Sequence, residues 1–416
     1  MNDETLFSQL ELPNGIILKN RLCKAAMEEN LAAEGQVPDE RLERLYRGWA
    51  DGGVGLILTG NVMISPSAVT GPGAVILERG TDLTPFKKWA AAGKANGAQF
   101  WMQINHPGRQ LYASMGEQAV APSAVAVDVG RFSNMLAQPR ELSEAEIRGL
   151  IDRFAETAAL AEEAGFTGVQ LHAAHGYLIS QFLSPLVNKR TDQWGGSLEN
   201  RARFLFEAIK AIRSVVSSDF SVAVKLNSAD FQKGGFQVED AMEVTRVLND
   251  LGLDLLELSG GSYESPAMYG QASETSSSRR EAFFVDFARQ VAHVARMPIM
   301  VTGGIYRKST AIEALEKDEA GFGVSVLGIA KAFTQVPDLP NRWQNGKTLD
   351  VEMPILSWKN KTLAGLAASA SARRRLVRLG YGKSVERRLS PRFSLVWDRL
   401  RMRRLTKRYR RWRECS

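Results

Sequence analysis

The chain has 416 residues, 44% of them hydrophobic and 24% charged, enough for a large core and ordinary for a soluble globular protein. Its two cysteines, Cys23 and Cys415, lie near opposite ends, which excludes a disulfide framework and an iron–sulfur cluster held by four thiolates. The net charge of +7 is unevenly spread: from Trp358 to Ser416 nineteen Lys and Arg face three acids, a local +16, while the preceding 357 residues hold 34 bases and 43 acids, a net −9.

The N-terminus, Met1-Asn2-Asp3-Glu4, is acidic and lacks the basic and apolar regions of a secretory signal. No segment approaches eighteen uncharged apolar residues, so no membrane span is expected and the expected location is cytoplasmic. From about residue 15 to 340, short apolar runs alternate with amphipathic stretches. The expected strands are Arg21–Met27, Gly53–Gly60, Gln99–Asn105, Gly168–Ala174, Ser221–Asn227, Leu253–Gly260, Met297–Gly304 and Val324–Lys331. Nearly continuous apolar runs such as Pro298-Ile299-Met300-Val301 suit strands buried on both faces of a parallel sheet.

Between them, Thr84-Pro85 reads as an N-cap followed by proline at the first helical position, and Ser143 with Glu146 as a capping box. Gly165 and Gly252 stand where helices turn into strands. Eight β–α alternations favour a closed (β/α)8 TIM barrel of the α/β class over an open doubly wound sheet. The division expected is a barrel over 1–345 and a basic, helical C-terminal extension over 346–416. Residues 106–142 and 261–280 interrupt the rhythm after the third and sixth strands. They read as substrate-covering loops, or else as disordered surface insertions.

Two of only four histidines, His172 and His175, stand three residues apart at the end of the fourth strand, with Tyr177 two residues further on. Together they can bind an oxygen anion and deliver a proton at one barrel mouth. Metal ligation lacks a third ligand close in sequence, and satisfied structural histidines are the remaining alternative. For Tyr177 the alternative is aromatic packing, and for Gln103 a solvated strand-end amide.

The stretch His172-x-x-His175-Gly176-Tyr177, followed by Arg190–Gly196 and Glu199–Arg201, resembles the signature of the Old Yellow Enzyme family of NAD(P)H:flavin oxidoreductases. The resemblance extends over most of residues 5–340, through Leu12–Gly15, Lys19–Arg21, Gln103–Arg109 and the glycines at 303–304. It implies an FMN-binding barrel, a transient NADH or NADPH reductant, and an α,β-unsaturated carbonyl or similar acceptor. His172 and His175 then match the pair that bonds the acceptor oxygen, and Tyr177 the proton donor. The flavin would be held by Ala26, Met27, Glu28, Gly60, Asn61, Gln103 and Lys225, and its phosphate by Gly303, Gly304, Ala330 and Lys331.

Three positions depart from the family pattern. Lys225 and Lys331 stand where arginine is frequent; lysine keeps the charge but loses the bidentate fork. Glu28 stands where threonine or cysteine is frequent, and an ionised glutamate cannot donate to a flavin carbonyl. It is expected to be protonated or turned aside. Without further cysteines or a dinucleotide fingerprint, FMN alone is expected. A non-redox phosphate-binding barrel is the competing enzyme class. The basic tail is expected to pack on the acidic body of this or another subunit; anionic membrane and nucleic acid are the other partners its composition allows.

Overall fold

A computed structural model describes residues 4–265, 285–347, 360–385 and 389–415, together with Val351, Leu356 and Trp358. Residues 266–280 of the second excursion and the Arg387-Arg388 pair lie outside the described residues.

Eight parallel strands close on themselves. They are β1 (Leu22–Lys24), β2 (Leu56–Leu58), β3 (Gln99–Asn105), β4 (Gly168–Ala173), β5 (Ser221–Asn227), β6 (Leu255–Ser259), β7 (Ile299–Thr302) and β8 (Val326–Ile329). Each pairs with the next, and β8 pairs with β1 through Gly328 and Cys23. Each expected strand therefore forms, most of them shorter than the apolar runs that announced them. The helices that follow the strands are α1 (Glu40–Asp51), α2 (Thr84–Gly93), α3 (Glu144–Glu163), α4 (Leu198–Arg213), α5 (Val238–Leu248), α6 (285–292), α7 (Lys308–Ala314) and α8 (Leu339–Gln344). This is a TIM barrel.

Alternation along the strands sorts side chains between two cores. Ile57, Phe100, Leu171, Val224, Leu256 and Leu327 face outward and pack under the helices. Cys23, Leu56, Leu58, Trp101, Ala223, Leu255, Met300 and Val326 fill the lower interior, beneath which Leu12 and Leu18 close the bottom. The strands read as largely apolar because both faces are buried; most of their polar residues gather in the upper interior, with Lys24 of β1 turned outward against Tyr46 and Trp49.

The capping box of α3 forms, Ser143 accepting from the Glu146 N–H while Glu146 reaches back to the cap. The reading of Thr84 as an N-cap needs correction. Leu83 occupies the cap, Thr84 is the first helical residue, and Asp82 accepts from its N–H at 2.9 Å. A carboxylate two residues upstream performs the task that the proline signal had assigned to threonine.

Residues 106–142 are ordered. Parallel strands Ala119–Ala121 and Pro139–Glu141 pair within this excursion. The Arg109 guanidinium meets Glu264 at 2.5 Å, and Glu264 also accepts from the Asp128 N–H. Charge pairing thus clasps the loop after β3 to the start of the loop after β6.

The basic tail forms two helices, α9 (Lys361–Gly380) and α10 (Pro391–Cys415), joined by an Arg373–Asp398 pair at 2.6 Å. They pack on the barrel of their own chain. Arg44 donates to the Gly380 carbonyl at 2.6 Å, Arg401 to that of Asn30 and Arg408 to that of Ala32. Tyr409 is buried among Met63, Val69, Ile76, Leu111 and Met115, its hydroxyl on the Pro66 carbonyl. Arg413 pairs with Glu117 at 2.7 Å. Backbone carbonyls and apolar contact, more than acidic side chains, therefore hold the tail. The opposite net charges of tail and body account for little of that geometry.

Candidate active site

The upper interior is polar, and its groups are joined in two chains. The deeper one runs between adjacent strands. Gln103 Nε2 donates to Gln170 Oε1 at 2.7 Å, Gln170 Nε2 to Glu257 Oε2 at 2.8 Å, and Lys225 Nζ meets Glu257 Oε1 at 2.7 Å. Strand register places these partners opposite one another, Gln170 beside Gln103 and Lys225 beside Glu257. All four are buried. The Lys225 charge, within an otherwise apolar strand, is thus compensated by Glu257 of the next strand.

The second chain lies at the mouth. His172 Nδ1 is 2.7 Å from Asn61 Oδ1, His172 Nε2 is 3.1 Å from His175 Nδ1, and His175 Nε2 is 2.7 Å from Ser259 Oγ. Asn61 Nδ2 donates to Glu28 Oε1 at 2.6 Å, and Thr70 donates to the same oxygen at 2.7 Å. Burial, with a smaller push from neighbouring charge, holds both imidazoles well below their ordinary pKa, so both are neutral.

Neutrality and the facing atoms then dictate the protons. The amide oxygen of Asn61 requires the His172 proton on Nδ1. His172 Nε2 must accept from His175 Nδ1, and His175 Nε2 from the Ser259 hydroxyl. Every donor in the chain points toward Glu28.

Burial raises the Glu28 pKa and Glu29 adds to the rise, while the Asn61 and Thr70 donors and Arg373 of α9 oppose it. The carboxyl is turned onto Asn61 and Thr70. No sequence signal marked Thr70, Ser259, Glu257 or Arg373, which lie 32 to 345 residues from the groups they meet.

The backbone here is strained. His175 has φ 61° and Gly176 φ 74°, both left-handed. The His175 N–H donates to Asn227 Oδ1 at 3.0 Å and its carbonyl accepts from Gln110 at 2.9 Å, which pins the turn from both sides. Beyond it Tyr177 caps the short helix Leu178–Leu183. Its ring meets that of His172 edge-on, centroids 4.8 Å apart, and its hydroxyl lies 3.3 Å from that of Tyr263.

The remaining expected residues line the strand ends. Ala26, Met27 and Glu28 follow β1, and Gly60 and Asn61 follow β2. A side chain at Gly60 would collide with the Met27 carbonyl and the Glu29 carboxylate. Behind them buried Lys24 donates to the Leu58 carbonyl at 2.7 Å and to Tyr46, whose hydroxyl bonds Glu29 and the Gly60 N–H. Burial lowers the Lys24 pKa to about 8.

Gly303 and Gly304 leave β7 at φ 151° and 59°, with open space where a Gly303 side chain would stand. The preceding Thr302 hydroxyl is buried without a partner among the described residues. Across from it, Ala330 and Lys331 follow β8, and burial lowers the Lys331 pKa. His106 and His293, the other two histidines, lie elsewhere: His106 accepts from the Gly108 N–H with its pKa lowered to about 3, and His293 meets Asp318. Among the described residues no cluster of His, Cys, Asp and Glu forms a metal site.

The model of the NADH:flavin oxidoreductase / NADH oxidase family matches residues 5–350. The chain is 37% identical over 357 residues to the NADH-dependent flavin oxidoreductase iliE of Neonectria sp. (strain DH2), covering 80% of this chain and 46% of that one. It is thus about half the length of that relative. It is 35% identical to the NADH-dependent flavin oxidoreductase nadA of Aspergillus parasiticus, covering 88% and 83% of the two chains. The structure of the old yellow enzyme homologue from Zymomonas mobilis superposes with a TM-score of 0.69 at 25% identity, covering 84% and 95%.

Proposed function

The chain belongs to the NADH:flavin oxidoreductase / NADH oxidase family, the Old Yellow Enzymes, whose members work with FMN and NADH, and we propose that it reduces the carbon–carbon double bond of an α,β-unsaturated carbonyl compound. The observation that carries this reading is the hydrogen-bonded His172–His175 pair, His172 buried and His175 half-buried, with the Tyr177 ring packed against His172. FMN, when bound, would supply the two-electron hydride chemistry that links NADH to the acceptor.

The residues present fit that cofactor. Open space beside Gly303, the Thr302 hydroxyl without a partner among the described residues, and Lys331 just after the neighbouring strand β8 are the parts a phosphate site here would use, backbone N–H groups with one cation. Gln103 offers an amide for the pyrimidine edge. Lys225 supplies positive charge nearby, tempered by Glu257. The chain's own work on the acceptor is to hold its carbonyl oxygen at the imidazoles and to protonate its α-carbon from Tyr177. The double bond thereby gains one hydride and one proton, and the phenol recovers its proton from water.

Holding that oxygen calls for donors on both imidazoles. His175 is already set, because the Ser259 hydroxyl on Nε2 leaves the Nδ1 proton facing inward. His172 must carry its proton on Nε2 instead of Nδ1, so Asn61 must turn its amide N–H toward His172. The Asn61 oxygen then faces Glu28, which satisfies it only when protonated.

Glu28 is protonated below its raised pKa and ionised above it. Affinity for a non-titrating ketone such as cyclohexanone is therefore expected to weaken by up to about tenfold per pH unit above that pKa. In Glu28→Gln, whose amide either donates or accepts, the affinity should stay flat with pH. A wild-type Kd independent of pH would reject this linkage.

Anaerobic titration of the yellow protein with NADH and then NADPH, followed by reoxidation with enones, enals and nitroalkenes, tests the function as a whole. Bleaching by a nicotinamide and recovery of colour with an enone is the expected result. A colourless protein that refuses FMN would point to the non-redox phosphate-binding barrel.

A further inference from the structure

The inner face of α10 is spent on the barrel, while its outer face meets only cation–ring contacts near its start, Arg374 over Phe393 at 4.7 Å and Arg392 over Trp358 at 6.0 Å. Exposed positions recur in three- and four-residue steps, the spacing of one helix face. Between Arg392 and Arg411 seven cations lie on it, among them Arg399, Arg403, Arg404 and Lys407. None of the seven makes an ion pair with a described residue. The first half of the same face carries Phe393, Val396 and Leu400, exposed by 56%, 60% and 52%. The face runs for about 29 Å at helical rise. No described helix is long and apolar enough to cross a membrane.

We propose that this face docks the enzyme on an anionic lipid surface. Cations beside exposed apolar side chains suit a helix lying in the plane of the headgroups, where Phe393, Val396 and Leu400 enter the acyl boundary and the arginines meet lipid phosphates. Two alternatives fit the same face less well. A second copy packed about a two-fold axis would set these cations against themselves. Nucleic acid would engage the cations but leave Val396 and Leu400 without a role, since phosphate contacts are polar and bases stack on planar groups.

Docking in this way has a geometric consequence. The inner side of α10 touches the segments after β1, β2 and β3, through Arg401 on Asn30, Tyr409 on Pro66 and Arg413 on Glu117. These segments border the barrel mouth, so the face that meets lipid would hold the mouth beside the membrane.

Flotation of the FMN-loaded full chain with vesicles tests the proposal. Retention is expected on phosphatidylcholine vesicles containing phosphatidylglycerol, and none on phosphatidylcholine alone. The variant Arg399→Gln/Arg403→Gln/Lys407→Gln should lose about fivefold in partition per removed cation, about a hundredfold in all. The variant Phe393→Ser/Val396→Ser/Leu400→Ser should also detach, with flavin colour and circular dichroism unchanged because all three side chains are exposed. Absence of wild-type retention at physiological salt would overturn the proposal. So would vesicle binding unaffected by the apolar substitutions, capture of RNA that outcompetes the vesicles, or a solution dimer dispersed by those substitutions.

Discussion

Tyr177→Phe is expected to slow reoxidation by an enone about 10²–10⁴-fold, the range for loss of a positioned general acid, while bleaching by NADH proceeds at the wild-type rate. Tyr177 is 6% exposed and its ring leans edge-on against His172, so phenylalanine keeps the packing and removes only the hydroxyl. An ordinary phenol has a pKa of about 10, weak for an acid but sufficient toward a carbon that becomes enolate-like as hydride arrives. Stopped-flow measurement separates the two half-reactions. The control is an acceptor whose reduction needs no proton on carbon, such as ferricyanide, which the variant should reduce normally. Equal slowing toward ferricyanide would mean that the substitution disturbs the flavin site. Unchanged enone rates would remove Tyr177 from the chemistry.

Glu257→Leu should destabilise the fold by about 3–5 kcal/mol, because it leaves the Lys225 ammonium buried without its compensating charge. Glu257 is fully buried and also accepts from Gln170, which in turn holds Gln103. Adding Lys225→Met should recover much of the loss, since a buried pair replaced by apolar groups of similar volume is often neutral. Denaturation midpoints of both single variants and the double variant form the cycle. Additive losses would mean that the pair is not coupled. The same cycle bears on the cofactor: in Glu257→Gln the Lys225 charge is no longer offset, so the FMN midpoint potential should rise relative to wild type. An unchanged potential would detach Lys225 from the flavin.

The barrel was legible because its signal is local. An apolar run such as Val222–Leu226 needs only its own residues to announce a strand buried on both faces, and Ser143 with Glu146 announces a helix start within one turn. The histidine pair with Tyr177 was legible for the same reason, its three groups falling within six residues at one strand end. Thr84 shows the limit even of local signals: proline marked the start of α2, but Asp82 took the capping role.

What surrounds the pair was not legible. The partner of Lys225 is invisible along the chain because Glu257 lies on the next strand, a helix away in sequence but opposite in register. Ser259 and Thr70 are ordinary hydroxyls until the barrel closes, after which Ser259 faces His175 and Thr70 donates to Glu28, each meeting a group far along the chain; Ser259 and the Asn61 oxygen then set the protons on the two imidazoles. For Glu28, sequence announced the anomaly and named two resolutions, a protonated carboxyl or one turned aside. The structure adds the Asn61 and Thr70 bonds and the burial that raises the pKa.

Sequence by itself thus determined the eight-stranded barrel, the location of its polar mouth and the charge asymmetry of its tail, since periodicity, caps and composition are properties of contiguous residues. Tertiary structure alone decided which charge answers Lys225, which atoms direct the His172 proton, and which face of the tail lies on the barrel. Those depend on barrel closure and on desolvation, which bring distant polar groups together in a space where none can be left unpaired without cost.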